Sequence, residues 1–291
     1  MRKHHFVPIL LLFFIITGFK SDKPAYQIFN EKGRSVKYKK MLRKIADADV
    51  VFFGELHNNP VAHWLQLEVT LDLYEEQNGN LVLGAEMFEA DNQVIIDEYL
   101  EGTIRQKDFE NEARLWSNYK TDYKPLMNIA ADSNLPFIAT NIPRRYAALV
   151  NRKGLDALDS LSKEAKKWIA PLPVEFDSTL AGYKKMKEMM GGMGGHGGNM
   201  NIVKAQAVKD ATMAHFIAEN IQPGKQFVHY NGAYHSDNFE GIIWYLNRIE
   251  PDLNIKTITT KEQAKLKDLH EKHEGVANFI IAVDENMTKT Y

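Results

Sequence analysis

The chain has 291 residues, of which 44% are apolar and 25% charged, with a net charge of −2 and no cysteine. That composition suits a globular α/β protein with a sizeable core and excludes a disordered or rod-like chain. It also excludes disulfides, thiolate metal sites, iron–sulfur clusters and a cysteine nucleophile, and the charge gives no electrostatic reason for a nucleic-acid partner.

Arg2 and Lys3 open the chain, and residues 6–19 are uncharged and mostly apolar. This run is short for a membrane span and reads as a secretory signal, with a retained anchor as the alternative. Residues 1–20 are therefore expected to be a signal peptide. Residues 21–291 are expected to form a single exported domain in the periplasm or cell envelope, not lipidated through cysteine.

Strand–helix units follow. Residues 50–53 form a buried-type strand that ends in Gly54-Glu55-Leu56-His57. Asn59 and Pro60 then read as an N-cap and first helical position, opening a helix to about Gln77. Residues 81–86 are the next strand. Short helices are expected at 91–100 and 108–116, and a third at 123–133. Strand 137–140 ends in Asn141, Pro143, Arg144 and Arg145, where a further helix opens. Strand 226–230 runs into Asn231-Gly232-Ala233-Tyr234-His235 and a helix to about Asn247. Two late strands are expected at 255–259 and 278–283. This alternation predicts a mainly parallel sheet sandwiched between helices. Residues 152–220 read as a largely helical insertion or lid.

Residues 186–200, MKEMMGGMGGHGGNM, break the pattern. Glycine at that density predicts a flexible loop. The concentration of methionine, with Met190, Met193 and His196, suggests a flap for a soft metal or a flat apolar ligand.

In a parallel sheet, ligands bind beyond the carboxyl ends of the strands. Four strands here end in polar clusters, so Glu55, His57, Glu86, Asn141 and His235 should meet on one rim. Glu55, His57, Glu86 and His235 suit either a divalent metal or general acid–base work. Plainer roles are also open: Glu55 as a helix cap, and Glu86 as a buried carboxylate paired with Arg144 or Arg145.

The segments GELHNNP, GAEMFE, WSNYKTDYKPL, ATNIPRR, AQAVKDATMA and YNGAYH, in this order, resemble the ChaN-like haem-binding uptake proteins. That family sits in a wider grouping with Tiki metalloproteases, TraB-type proteins and erythromycin esterases. The resemblance spans about residues 50–246 and implies a parallel-rich sheet between helices, export linked to iron acquisition, and haem held between paired subunits by a tyrosine. Carried onto this chain, Tyr123 is the first choice for the iron ligand and Tyr119 the second, since a phenolate suits ferric haem. Trp116, Met190 and Met193 would supply walls, and Arg144 or His196 would meet the propionates. The implied partners are haem, a second copy of the chain and outer-membrane haem uptake machinery. The chain departs from the family in lacking a lipobox cysteine. The wider grouping implies the alternative, a metal-dependent hydrolase using Glu55, His57, Glu86 and His235.

Overall fold

The computed structural model describes residues 23–191 and 200–291. His196 and Met193, and the signal segment, lie outside the described residues.

Seven strands form one sheet: β1 (Tyr26–Asn30), β2 (Val50–Glu55), β3 (Leu81–Glu89), β4 (Phe137–Asn141), β5 (Gln226–Gly232), β6 (Ile255–Gln263) and β7 (Phe279–Asp284). Their order is β1-β7-β6-β2-β5-β3-β4, and every pair is parallel except β1 with β7. The all-apolar runs follow from burial on both faces. Along β2, Val51 and Phe53 face one apolar cluster while Val50 and Phe52 face another. The first cluster is closed by helices Tyr38–Ile45, Pro60–Glu76 and Lys124–Ser133, and the second by Met200–Glu219 and Ile242–Ile249.

The helices begin and end for local reasons. Asn59 Oδ1 accepts the Val61 and Ala62 amides, both at 3.1 Å, so helix Pro60–Glu76 has an Asn cap and proline at its first position. Glu55 therefore does not serve as this cap. Asn78 and Gly79 stop the helix in left-handed conformations. Asn134, at φ 52°, ends helix Lys124–Ser133 in the same way.

Four expectations need correction. The edge strand β1 was not foreseen, because five half-polar residues carry little periodic signal. The helix expected at 108–116 is Gln106–Glu112, and a five-residue π-helical turn, Tyr119–Tyr123, precedes helix Lys124–Ser133. The helix after β5 starts only at Ile242, because Gly241 at φ 57° and short 3₁₀ turns intervene. Finally, Met186 and Met190 belong to helix Ala181–Gly191 and not to a loop. Lysine, methionine and glutamate are good helix formers, and the glycine run begins only at its end.

The segment read as a lid, residues 152–220, supplies helix Met200–Glu219. Its Ala211, Met213, Ala214 and Ile217 pack beside Phe52, Val82 and Phe227 of the sheet. Among the described residues no helix is long and apolar enough to cross a membrane.

Candidate functional site

The carboxyl ends of β2, β5, β3 and β4 are adjacent, and they bring Glu55, Gly232, Glu86 and Asn141 onto one rim. Glu55 is 1% exposed and collects several partners. His57 Nδ1 and the Tyr123 hydroxyl donate to Oε1 at 2.9 and 2.7 Å, and Gln66 Nε2 donates to Oε2 at 2.5 Å. With Nδ1 committed to a carboxylate, neutral His57 keeps Nε2 as its free acceptor. Trp116 stands edge-on to this imidazole, with centroids 5.0 Å apart. Burial lowers the His57 pKa, but the Glu55 hydrogen bond and the charge of Glu86 outweigh it and raise the pKa above the ordinary value.

Below Glu55 lies a second tier. His63 sits 3.0 Å from the Gln66 side-chain oxygen, 3.4 Å from Asp122 and 3.0 Å from the His57 carbonyl. Asn118 donates to that carbonyl and to Asp122, and the Thr290 hydroxyl also donates to Asp122. The π-helical turn thus places Tyr123 and Asp122 together against the end of β2.

Glu86 belongs to a separate buried triad. His235 is 2.5 Å from Asp210 through Nδ1 and 3.2 Å from Glu86 through Nε2. The Gly232 amide donates to the other Glu86 oxygen at 2.7 Å, and the Tyr183 hydroxyl donates to Asp210 at 2.7 Å. Burial alone would raise the Glu86 carboxyl. The His235 charge and hydrogen bond, then His57 and the Gly232 amide, instead hold it well below the usual range. Burial lowers His235, but Glu86 and Asp210 together push it up to about 10. Asp210 is pushed up by burial despite His235.

The partner of Glu86 is therefore His235, not the arginines. Arg145 bonds Asp91 at 2.6 Å, and Arg114 bridges Glu89 and Asp91. Arg144 has no ion-pair partner among the described residues.

One glycine of this rim leaves the space that His57 occupies. A Cβ on Gly232 would lie 2.8 Å from His57 Cε1 and Nε2 and 3.4 Å from a Glu86 oxygen. The glutamate–histidine pair and the triad thus meet across a bare stretch of backbone.

Two open clefts lie over the rim. One, of about 780 Å³, is lined by Trp116, Arg114, Arg144, Arg145 and Tyr291 among others. The other, of about 400 Å³, is lined by His57, Glu86, His235, Asn141, Met186 and Lys209 among others. They share Glu89, Trp116 and Arg144.

The two tyrosines named from the sequence are placed differently. Tyr123 is 2% exposed, under Trp116 and against Glu55. Tyr119 is 3% exposed, with its ring against Phe88 and Phe109 in the apolar core. Burial raises both phenols, and Glu55 raises Tyr123 further.

Sequence reasoning missed Asp210, His63, Asp122, Gln66 and Lys209. Asp210 carries a signal that was available: it is an ionisable residue among Ala207, Ala211, Met213 and Ala214 on the buried side of its helix. The expected metal grouping is not formed. Among the described residues no set of three or more histidines and carboxylates is placed to hold a metal ion. The reason is mutual pairing, since His235 spends both ring nitrogens on carboxylates and His57 spends one.

Residues 41–246 match the family model described as haem-binding uptake, Tiki superfamily, ChaN. No curated protein sequence matches the chain. Among solved structures, ChaN of Campylobacter jejuni, described with cofacial haem binding, superposes with a TM-score of 0.68 at 17% identity, covering 89% of this chain and 97% of that one. A Bacillus cereus protein superposes with a TM-score of 0.51 at 11% identity, covering 89% and 95%. The erythromycin esterase EreC follows at 0.48 and 10%, covering 89% and 83%. The ChaN and Bacillus cereus likenesses bear on the fold, and the family match carries the assignment: the chain belongs to the ChaN-type haem-binding uptake family of the Tiki superfamily.

Proposed function

We propose that this protein is an exported haem-binding protein serving haem or iron uptake or storage, with haem held between two subunits. The observation that carries the reading is the family match over residues 41–246 on a chain whose strand ends open into joined clefts. Their residues fit the group. Trp116 offers a flat apolar wall, Leu115, Ala148 and Met186 extend it, and Arg144 stands at the junction as a cation for a propionate. Haem, when bound, would supply a ferric iron that takes a protein ligand.

Tyr123 would be the preferred iron ligand, because its hydroxyl reaches the rim cluster while the ring of Tyr119 packs against Phe88 and Phe109. Serving as that ligand, the Tyr123 phenol would give up its hydrogen bond to Glu55. In a hemin titration followed by absorption, Tyr123→Phe is expected to change the ferric spectrum and weaken binding by about tenfold or more, as the loss of a charge-assisted contact implies. Tyr119→Phe should change neither. A silent Tyr123→Phe would move the ligand to His57, whose Nδ1 is held by Glu55. Hemin should also double the sedimenting mass of the wild type, and a persistent monomer under saturating hemin would remove the paired-subunit part of the reading.

Export rests on the sequence of residues 1–20. Mass spectrometry of the natively expressed protein is expected to show these residues removed and the product in the periplasm or envelope. An intact Met1 on a cytoplasmic protein would show that the segment is not a signal.

A second reading is favoured by one observation, the approach of His57 and Glu86 across Gly232. This is an acid–base hydrolase. His57, oriented by Glu55, would take a proton from water at Nε2, and the ionised Glu86 would face it.

A further inference from the structure

One stretch of the surface carries charge that the fold does not use. Residues 32–46 hold seven cations and no carboxylate, in a chain whose net charge is −2. Lys32 and Arg34 stand on the turn after β1, Lys37 is the N-cap of helix Tyr38–Ile45, and Lys39, Lys40, Arg43 and Lys44 lie on that helix. All seven are exposed, and none has an ion-pair partner among the described residues. The helix gives a reason for only two of them. Arg43 and Lys44 occupy its last turn, where cations complement the negative end of the dipole. Lys37, Lys39 and Lys40 crowd its positive end, which disfavours them, and the first turn holds no acidic residue. The helix buries Met41, Leu42 and Ile45 and turns its cations to solvent.

The charge continues into a separate cleft of about 240 Å³, lined by Lys40, Lys44 and Lys256 beside Val36 and Phe279. Lys256, half-buried near the start of β6, also has no ion-pair partner among the described residues. Glu31 lines the same cleft and Glu274 approaches Gly33, yet among the described residues neither forms an ion pair with these cations. The cleft lies at the end of β1 and the starts of β6 and β7. That is the amino end of the parallel strands, on the side of the sheet away from the rim. Three ammonium groups around an apolar floor match a phosphate carried on an apolar stem, since lysine stems lie on apolar surface while their heads stay in water.

We propose that this face docks on an anionic lipid surface, with phosphate headgroups held by the cations of residues 32–44 and one headgroup seated between Lys40, Lys44 and Lys256. A basic cluster of this size is drawn to the negative surface potential of such a bilayer. A protein partner fits less well, because protein interfaces deplete lysine and are anchored by apolar side chains. None of the exposed large apolar side chains of the described residues lies between 32 and 46. A single-stranded nucleic acid also fits less well, because the segment exposes no aromatic ring for base stacking. Docked here, the protein turns the rim clefts away from lipid and leaves them open, whatever the rim binds.

The test uses the protein without residues 1–20, so that the apolar leader cannot itself carry it to lipid. Co-sedimentation with phosphatidylcholine vesicles, with and without phosphatidylglycerol, reads the binding. Wild type is expected to bind only the vesicles that contain phosphatidylglycerol. It should be released as salt rises from about 0.05 to 0.5 M, where the Debye length falls about threefold. Lys39→Gln with Lys40→Gln and Lys44→Gln should weaken binding by on the order of a hundredfold, at about fivefold per cation. These side chains are exposed, so circular dichroism should show an unchanged fold. The matched control is Arg152→Gln with Lys153→Gln and Lys163→Gln. It removes the same charge from exposed residues on the segment after β4, the edge strand opposite β1, and should bind as wild type does. Equal loss in both triple variants would mean that net charge alone governs binding, and would overturn the docking face. So would equal binding to both kinds of vesicle, or binding to neither. If wild type ignores vesicles but is retained on heparin, and the Lys39, Lys40 and Lys44 variant is not, the face serves a soluble polyanion and lipid docking is overturned.

Discussion

Glu86→Gln is expected to destabilise the protein by about 3–5 kcal/mol, the usual result of removing one partner from a buried ion pair. The glutamine side chain leaves the His235 imidazolium, buried beside Asp210, without half of its neutralisation. The effect should depend on pH with a definite sign. Glu86 is held well below its usual range, so the stability it adds is present above about pH 4.3, where unfolded glutamate ionises, and is lost as pH falls. His235 acts from the other side. It is pushed up to about 10, so its contribution is complete below about pH 6.5, the unfolded value, and is lost as pH rises from there to about 10. Asp210 partly opposes Glu86, because burial makes its ionisation a cost. Wild type should therefore be most stable between about pH 4.5 and 6.5 and should weaken steadily above that. Urea unfolding at pH 6 and pH 9 checks both points. Glu86→Gln removes the carboxylate that raises His235 most, so its alkaline loss should be smaller than that of wild type. An unchanged alkaline loss would mean that Glu86 does not set the charge of His235. Any hydrolysis that wild type shows should also fall, since a neutral amide no longer supplies the negative charge that faces His57.

The fold could be read from the sequence because its strands are fully buried. Val50-Val51-Phe52-Phe53 and Leu81-Val82-Leu83 are apolar without alternation, and each ends in a polar cluster, which is enough to place the rim. Asn59-Pro60 marked its helix because cap and proline act through local backbone chemistry. The failures came where structure depends on distant residues. Glu86 was legible as a buried carboxylate needing a partner, but His235 and Asp210 approach it from the turn after β5 and from helix Met200–Glu219, a pairing with no local signature. Tyr119 and Tyr123 are four residues apart in one motif. Only the π-helical turn decides that one ring enters the phenylalanine core and the other meets Glu55. Met186 looked like part of a glycine loop, yet the residues before it favour helix strongly enough to carry the helix to the first glycines.

Gly232→Ala should separate the site from the fold. Gly232 lies at the end of β5 with φ −56° and ψ 135°, a conformation any residue adopts, so alanine imposes no backbone strain. The Cβ instead meets His57 Cε1 and Nε2 at 2.8 Å, closer than van der Waals contact permits. The His57 side chain is 36% exposed and can swing outward, whereas Glu86 is held by His235 and cannot easily retreat. The stability change should stay within about 1 kcal/mol, because a movable side chain relieves the overlap. Gly84→Ala is the contrast. Its Cβ would lie 2.7 Å from the ring of Phe227, which is 1% exposed, so the overlap cannot be relieved and the cost should reach about 1–3 kcal/mol. The site readout for Gly232→Ala is the His57 imidazole followed by NMR across pH. In wild type it should titrate above the ordinary value of about 6.5, held up by Glu55 and Glu86. Displaced from both, it should return toward that value while His235 stays protonated well above neutral pH. A His57 titration unmoved by the alanine would mean that the imidazole does not occupy the space Gly232 leaves open.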